Sequence, residues 1–358
     1  MDKITQVIQS IVGLDRKLME LTQERLNNLT KPQGSLGRLE ELAKLITGIT
    51  AKENPELKNK VIFTFAADHG VSDEGVSAYP KAVTAQMVYN FLRGGAGINV
   101  LARHIGARVV VADLGVAEDL KPSPELVIKK IGYGTKNMAK GAAMTKDEAI
   151  QSICAGIEIF ETEFAKGVDI IGTGEMGIAN TTPSSAITAV FTKEKVEDVT
   201  GRGTGITEAG LKNKIKVIKE ALRVNNPDAF DPIDVLAKVG GFEIGGLAGV
   251  ILAAASRKVP VVIDGFISGA SALLAYMIEP KVKDYLIAAH CSAEVGHKAI
   301  LKHLNLSPIL DLNLRLGEGT GAALGINIVD AAVKILTQIA TFKSSSVCEK
   351  DRLCCIFH

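Results

Sequence analysis

The sequence lacks tryptophan altogether, and it lacks a dominant charge: 41 Lys and Arg face 40 Asp and Glu, a formal net charge of +1 at pH 7. With no strong field of either sign, the composition points to neither nucleic acid nor an anionic membrane as a partner, and leaves room only for a local basic pocket. Cysteine is scarce and poorly spaced. Cys154, Cys291, Cys348, Cys354 and Cys355 are odd in number and form no C-x-x-C pair, a poor basis for a disulfide or zinc framework. Long apolar runs are missing too. The N-terminal MDKITQVIQSIVGLDRK has no signal-peptide core, and the most apolar stretch, 245–255, is too short to cross a bilayer. Cytoplasmic localisation is the expectation. The ending Cys355-Ile356-Phe357-His358 has the outline of a prenylation box but closes on histidine, outside the usual endings; a loose tail is the plainer reading.

What the chain has in quantity is glycine, 35 residues, much of it clustered. At 47% hydrophobic and 23% charged, it has the composition of a globular α/β protein able to bury a large core. Residues 3–28 carry Ile4, Val7, Ile8, Ile11, Leu14 and Leu18 at helical spacing; after a break at 30–35, residues 36–49 read as a second helix. Beyond Pro55, short apolar runs alternate with helical segments, and no internal repeat is found. Six runs have the continuous, β-branched character of buried parallel strands: 61–66, 108–113, 168–171, 259–264, 285–289 and 309–314. Helix starts are marked by Thr145-Lys146-Asp147-Glu148 at capping-box spacing, and by Thr182-Pro183 and Asp231-Pro232 with proline at the first helical position. The expected fold class is α/β: a doubly wound, mainly parallel six-stranded sheet with helices on both faces, plus a small helical subdomain. Residues 1–55 and a C-terminal helix at 326–341, the end of an apolar run from 321, are assigned to that subdomain. Residues 56–325 form the Rossmann-like catalytic domain, and 342–358 the tail.

In such a sheet ligands bind beyond the carboxyl ends of the strands. Each predicted strand runs into Gly, acid, hydroxyl or His: Asp68-His69-Gly70, Leu114-Gly115, GTGEMG at 172–177, GFISG at 265–269, His290-Cys291-Ser292 and RLGEGTG at 315–321. One cleft is implied. The loop 172–177 leads into Asn180-Thr181-Thr182-Pro183 and a helix, while GRGTG at 201–205 offers a second turn with Lys214 downstream as counter-charge. Glycines let backbone N–H groups approach an anion, and a helix start adds partial positive charge, so the pair of loops points to phosphate. Taken singly, each G-x-G is explained as a chain turn. No Walker loop is present, and no dinucleotide fingerprint follows the first strand.

Glu318, flanked by Gly317 and Gly319 after a strand, has the setting of a general base. Its bland alternative is a surface acid in a turn. Glu175 is a second carboxylate facing the same cleft, and two such groups hold up one another's pKa. Tyr79, Met87 and Met176 are placed to wall a flat apolar ligand, with Gln86 as a polar contact, although methionine at helical spacing equally serves a core. Asp68, His69, Asp73, Glu74, His290 and His297 invite a metal-site reading, but neither H-x-x-x-H nor H-E-x-x-H occurs. His104 and His303 read as helix surface.

Four blocks are distinctive: Lys31-Pro32-Gln33-Gly34-Ser35-Leu36-Gly37-Arg38-Leu39-Glu40, Ala67-Asp68-His69-Gly70-Val71, 172–183 and 314–321. In this order, over about residues 10–340, the chain resembles the nicotinate-nucleotide–dimethylbenzimidazole phosphoribosyltransferase family. The likeness ends before 341–358, whose Cys-rich character departs from the family's usual end. The resemblance implies transfer of 5-phosphoribose from nicotinate mononucleotide to 5,6-dimethylbenzimidazole in cobalamin lower-ligand synthesis. The products would be α-ribazole 5′-phosphate and nicotinate, with inversion at the anomeric carbon. It implies Glu318 as catalytic base, with Glu175 near it. Gly174, Gly177, Asn180, Thr181, Gly203 and Lys214 would hold the phosphoribosyl group. Tyr79, Gln86 and Leu316, walled by Met176, would contact the benzimidazole, and Asp264 and Ser292 would reach nicotinate across a homodimer interface. No metal or cofactor is expected, because the departing pyridinium already carries positive charge and one carboxylate suffices as proton acceptor. Two other classes stay open: a metal-dependent phosphatase or phosphomutase using Asp68, His69, His290 and His297, and a non-catalytic nucleotide-binding module.

Overall fold

The protein is described here by a computed structural model covering residues 2–348; Cys354, Cys355 and the prenylation-like ending lie outside the described residues. The chain divides into two compact units, Met1–Val12 with Lys58–Ile326 and Gly13–Leu57 with Asn327–His358.

The larger unit is built on six strands: β1 (Lys60–Ala67), β2 (Ala107–Gly115), β3 (Leu126–Ile128), β4 (Ile170–Met176), β5 (Val261–Ile263) and β6 (Leu286–Ala288). They form one all-parallel sheet in the order β3-β2-β1-β4-β5-β6. From β1 the chain winds outward to β2 and β3, then returns to lay β4 on the other side of β1. The switch point therefore lies between β1 and β4, where a doubly wound sheet opens a crevice at its carboxyl edge. Seven of the eight β1 residues are buried, so both faces of the central strand are covered, as an unbroken run such as VIFTFAA requires.

Five predicted strands are present; the sixth is not. Residues 309–314 begin a ladder, with Ile309 N–H on Ala288 O at 3.0 Å and a parallel bridge from Leu310 to His290. The left-handed Asn313 and an exposed Leu312 then turn the segment away from the sheet. The three-residue edge strand β3 takes its place in the count, too short to stand out in the sequence. A second correction concerns 172–177, expected as a loop: β4 runs through to Met176, so Gly172 and Gly174 are strand residues.

The helix signals hold in most places. Thr145 forms its capping box with Glu148, and Asp231 accepts the N–H groups of Ile233 and Asp234 beside Pro232. The helix expected to start at Pro183 starts earlier, at Thr181, which makes proline its third residue. Residues 3–28 are two helices, Asp2–Gln9 and Arg16–Asn27, because Asp15 caps a new start by accepting Leu18 N–H at 2.9 Å.

The helix Phe242–Ser256 is buried from Phe242 to Ala255, as befits one apolar all round. It crosses the helix Lys146–Phe164 where Gly156, Gly246 and Gly249 let backbones meet. Thr320–Gln338 is long and apolar enough to cross a membrane by length and composition, and 61% of its apolar window is buried in the protein.

In the smaller unit the helices Arg16–Asn27 and Arg38–Thr50 are joined by a hydrogen bond from Thr22 Oγ1 to Thr47 Oγ1 at 2.9 Å. The loop between them is clasped end to end. Glu40 Oε1 accepts Lys31 Nζ at 2.8 Å and Leu36 N–H at 3.0 Å, while Gly34 and Gly37 take positive φ. Leu29 bridges Thr341, bringing residues 340–342 against 28–30.

The helix crossing yields a test. A Cβ at Gly156 would collide with the backbone of Gly246, whereas one at Gly141 meets open space. Gly156→Ala is expected to lose about 1–3 kcal/mol in denaturant unfolding, the usual cost of overpacking, with Gly141→Ala unchanged. Equal stability of the two variants would contradict so close an approach.

Candidate active site

β1 and β4 end side by side, Phe65 opposite Glu175 and Ala66 opposite Met176. The last turn of β4 therefore points Glu175 into the crevice, where it is 6% exposed. Its Oε2 accepts the amide N–H of Asn180, which precedes the helix Thr181–Thr192. Burial raises the Glu175 pKa to about 8; the Asn180 hydrogen bond opposes this, and the charges of Glu243, Asp264 and Glu318 add to it. Near neutral pH this carboxyl holds its proton.

The segment 317–319 crosses over β4. All three residues have positive φ: Gly317 at 84°, Glu318 at 64° and Gly319 at 98°. For glycine that costs nothing; for glutamate it is a strained state that surroundings must enforce. The enforcement is visible. Thr64 Oγ1, from β1, donates to Glu318 O at 2.9 Å, and Gly174 leaves the space in which that carbonyl sits. Gly317 packs against Glu175 Oε1, where any Cβ would collide. Glycine within β4 thus marks a close backbone approach, not a flexible anion loop.

The Glu318 carboxylate is turned to the first turn of the helix Gly97–Ile105, with Oε2 accepting Ile98 N–H at 3.0 Å. It forms no ion pair among the described residues. Burial pushes its pKa up, hydrogen bonding from the helix N-terminus pulls it down, and the nearby Asp264 charge pushes it up again; the net shift is upward. Asp264, just after β5, accepts Gly321 N–H at 2.7 Å and Ala322 N–H at 3.1 Å on Oδ1, and Gly319 N–H at 3.1 Å on Oδ2.

A cleft opens beside these groups, lined among others by Glu175, Thr181, Gly203, Asp264, Ser292 and Gly317. One end is cationic. Lys214, fully buried, donates to Thr181 Oγ1 at 2.6 Å, and its desolvation lowers its pKa to about 8 despite the charge of Glu294. Gly203, at φ 50°, lies between Thr181 and Lys214; its N–H donates to Glu294 Oε1 at 2.9 Å and its carbonyl accepts Arg315 at 3.0 Å. Ser292 N–H donates to His297 Nδ1 at 3.0 Å; burial and the neighbouring His290 lower the His297 pKa to about 3, so the ring is neutral.

Of the sequence-predicted residues, Glu175, Thr181, Gly203, Asp264 and Ser292 line this cleft, with Asn180 and Lys214 directly supporting them. Gly174 lies beneath Glu318, and Gly177 abuts Ala67 O and His69. Leu316 is 59% exposed and reaches Gly97, the same glycine that borders Glu318 Oε2. Tyr79, 56% exposed, is on a loop joined to the glycine-rich turn by Ala78 N–H on Thr204 Oγ1 at 3.0 Å. Gln86 is exposed and Met176 half-buried; neither lines the cleft, and Glu318 itself is not among the lining residues, although its neighbour Gly317 is.

Sequence reasoning missed Thr64, Ile98, Glu294 and Arg315. Thr64 left a signal, as the one polar residue in the buried run VIFTFAA; Glu294 left none. The metal-site candidates do not converge. His69 Nε2 pairs with Glu243 Oε1 at 2.8 Å, both fully buried, and Asp68 Oδ2 accepts Ala117 N–H at 2.7 Å. Among the described residues no three of His, Cys, Asp and Glu gather around a metal-sized point.

Residues 11–347 match the family described as Phosphoribosyltransferase. A relative from Desulforudis audaxviator, named nicotinate-nucleotide–dimethylbenzimidazole phosphoribosyltransferase, is 57% identical over 347 residues, 97% of this chain and 98% of its own. A relative of the same name from Geobacter sulfurreducens is 55% identical over 351 residues, 98% of this chain and 100% of its own. The crystal structure of the enzyme so named from Thermus thermophilus matches with a TM-score of 0.89 at 42% identity, covering 94% of this chain and 100% of that one.

The stacking of residue 318 on β4 is open to a direct test. Gly174→Ala would force a methyl into Glu318 O. The variant is expected to lose about 1–3 kcal/mol of stability by overpacking, and its activity even at temperatures where it stays folded. Full activity in folded Gly174→Ala would refute the stacking.

Proposed function

The chain belongs to the nicotinate-nucleotide–dimethylbenzimidazole phosphoribosyltransferase family, and we propose that it moves 5-phosphoribose from nicotinate mononucleotide to 5,6-dimethylbenzimidazole through the cleft just described. The observation that carries the residue assignments is the pairing of Lys214, with Gly203 and Thr181, and a buried carboxylate at Glu318 that forms no ion pair among the described residues.

One ring nitrogen of the base attacks C1′ of the ribose. The C1′–N bond to nicotinate breaks, and the bonding pair leaves with the pyridine nitrogen, neutralising its charge. The N–H proton on the other ring nitrogen passes to Glu318, so the attached benzimidazole finishes neutral. Attack from the face opposite nicotinate converts β to α at the anomeric carbon. No general acid is called for. Phosphate held by Lys214, Thr181 and the Gly203 turn, with Gly174, Gly177 and Asn180 shaping the neighbouring wall, fixes C1′ in line between the two rings. Tyr79, Gln86, Met176 and Leu316 are the benzimidazole side of the reading. Ser292 is its nicotinate side, completed in a homodimer. Localisation in the cytoplasm is part of the same reading. The metal-dependent phosphatase reading has no support, since His69 is already committed to Glu243.

Nicotinate release from the mixed substrates is the deciding measurement, and absence of release with every azole in a panel would remove the reading. Glu318→Gln is expected to bind both substrates and to lose ~10²–10⁴-fold in kcat, the usual worth of general-base catalysis. Unchanged kcat would dismiss Glu318 as the base. The pH profile of kcat/KM carries a second expectation. It rises as Glu318 loses its proton, above the ordinary carboxylate range, and falls above about 8 as Lys214 becomes neutral. The alkaline loss should appear in KM for nicotinate mononucleotide, and a flat KM through that range would speak against Lys214 as the phosphate contact.

A further inference from the structure

Asp264 faces the cleft, and the family likeness would place it against nicotinate; its hydrogen bonds say otherwise. Both carboxylate oxygens are occupied by main-chain donors: Gly321 and Ala322 on Oδ1, Gly319 on Oδ2. Three of about four acceptor positions on a carboxylate are thereby filled. The residue is 2% exposed. Nicotinate, moreover, is itself a carboxylate, and two anions brought together in a desolvated cleft repel. The donors to Asp264, Gly319, Gly321 and Ala322, lie within four residues after Glu318, whose backbone is left-handed. On the other side, Thr64 Oγ1 donates to the carbonyl of residue 318 itself. The peptide unit after Glu318 is therefore gripped at both of its polar atoms: its oxygen by Thr64, its nitrogen, that of Gly319, by Asp264.

We infer that Asp264 and Thr64 are positioning residues of the reaction, a two-sided clamp that holds Glu318 in its left-handed conformation and aims its carboxylate. The inference rests on the reading of Glu318 as base and deepens it. The clamp joins β1, β5 and the first turn of the helix Thr320–Gln338 at one peptide. Without it the chain at 318 is free to relax to negative φ, carrying the side chain away from Ile98 N–H.

The test compares the parent enzyme with Asp264→Asn, Thr64→Val and Glu318→Gln, and with the double variant Asp264→Asn/Glu318→Gln. In Asp264→Asn the carbonyl oxygen keeps part of the grip, but the amide NH₂ cannot accept a second main-chain N–H. A fall in kcat on the order of 10²-fold is expected, the penalty for a reacting group displaced by about an ångström, with KM for nicotinate mononucleotide nearly unchanged. Thr64→Val, nearly isosteric and without the donor, should shift kcat in the same direction by a smaller factor. Added to Glu318→Gln, Asp264→Asn should cost little more, because there is no longer a base to aim. A rise in KM for nicotinate mononucleotide at unchanged kcat would instead make Asp264 a nicotinate contact and overturn the clamp, as would losses that multiply in the double variant. If Asp264→Asn fails to fold, Thr64→Val decides: parent-like kcat overturns the proposal. A parent enzyme that releases no nicotinate would sink the base reading itself, a result distinct from these.

Discussion

A single strained peptide unit organises this site. Glutamate at φ 64° between two left-handed glycines is a conformation the isolated chain would avoid, at a cost of about 1–3 kcal/mol. It persists because the strand below has been emptied of side chains at Gly174 and because Thr64 and Asp264 hold the peptide from either side. The consequences reach outward. A Cβ at Gly317 would strike Glu175, one at Gly321 would strike the His290 ring and then Asp264 Oδ1, and one at Gly97 would press on Leu316 and the Glu318 carboxylate. Much of the glycine at the carboxyl edge of the sheet therefore serves close packing around one carboxylate, with conformational freedom confined to 317, 319 and the turn at 203–205.

The charges are divided along the cleft in a way that suits a reaction passing through a cationic sugar. Glu175, Asp264 and Glu318 crowd one region, and burial first, with the neighbouring negative charge added, keeps protons on Glu175 and Glu318 longer than in water. At the other end Lys214 and Arg315 stand by the Gly203 turn, with Glu294 the one carboxylate among them. Lys214 gives up much of its basicity to burial, and a bound phosphate dianion would return it. On the proposed reading, phosphate is held where positive charge is fixed, while C1′ gains oxocarbenium character where negative charge is available.

Much of this was legible from residue order alone. The unbroken β-branched runs marked β1, β2, β4, β5 and β6, because a strand buried on both faces has no polar positions to blur the signal. The acid, hydroxyl and glycine residues at the ends of β4, β5 and β6 line one cleft, whereas Asp68-His69-Gly70 and Leu114-Gly115, after β1 and β2, do not. What escaped were features whose cause lies elsewhere in the chain. Residues 309–314 carry the composition of a strand yet leave the sheet at Asn313, and the edge strand Leu126–Ile128 exists mainly because β2 is there to pair with it. Glu294 looks like any loop acid until the chain brings it to Gly203. Asp264 was visible as a polar residue ending an apolar strand, but only the direction of the three N–H groups around it distinguishes a ligand contact from a main-chain clamp.

The Asp68-His69-Gly70 motif makes the same point from the opposite side. Its letters match those of metal-dependent phosphotransferases, and the site is at the right edge of the right sheet. Here each member has another employment. Asp68 takes the N–H of Ala117 and so ties the end of β1 to the chain leaving β2, His69 is sealed in a pair with Glu243, and Gly70 lies against the backbone of Thr135 to Asn137. Gly177 and Gly241 both border the His69 ring, and the Glu243 charge contributes to the raised pKa of Glu175. The buried His69–Glu243 pair is thus the floor on which the Glu175–Asn180 turn rests, connected to the chemistry through shape and charge, with no contact of its own to the cleft. Residue type limited the options at each of these positions, and the partner each side chain found in the fold selected among them.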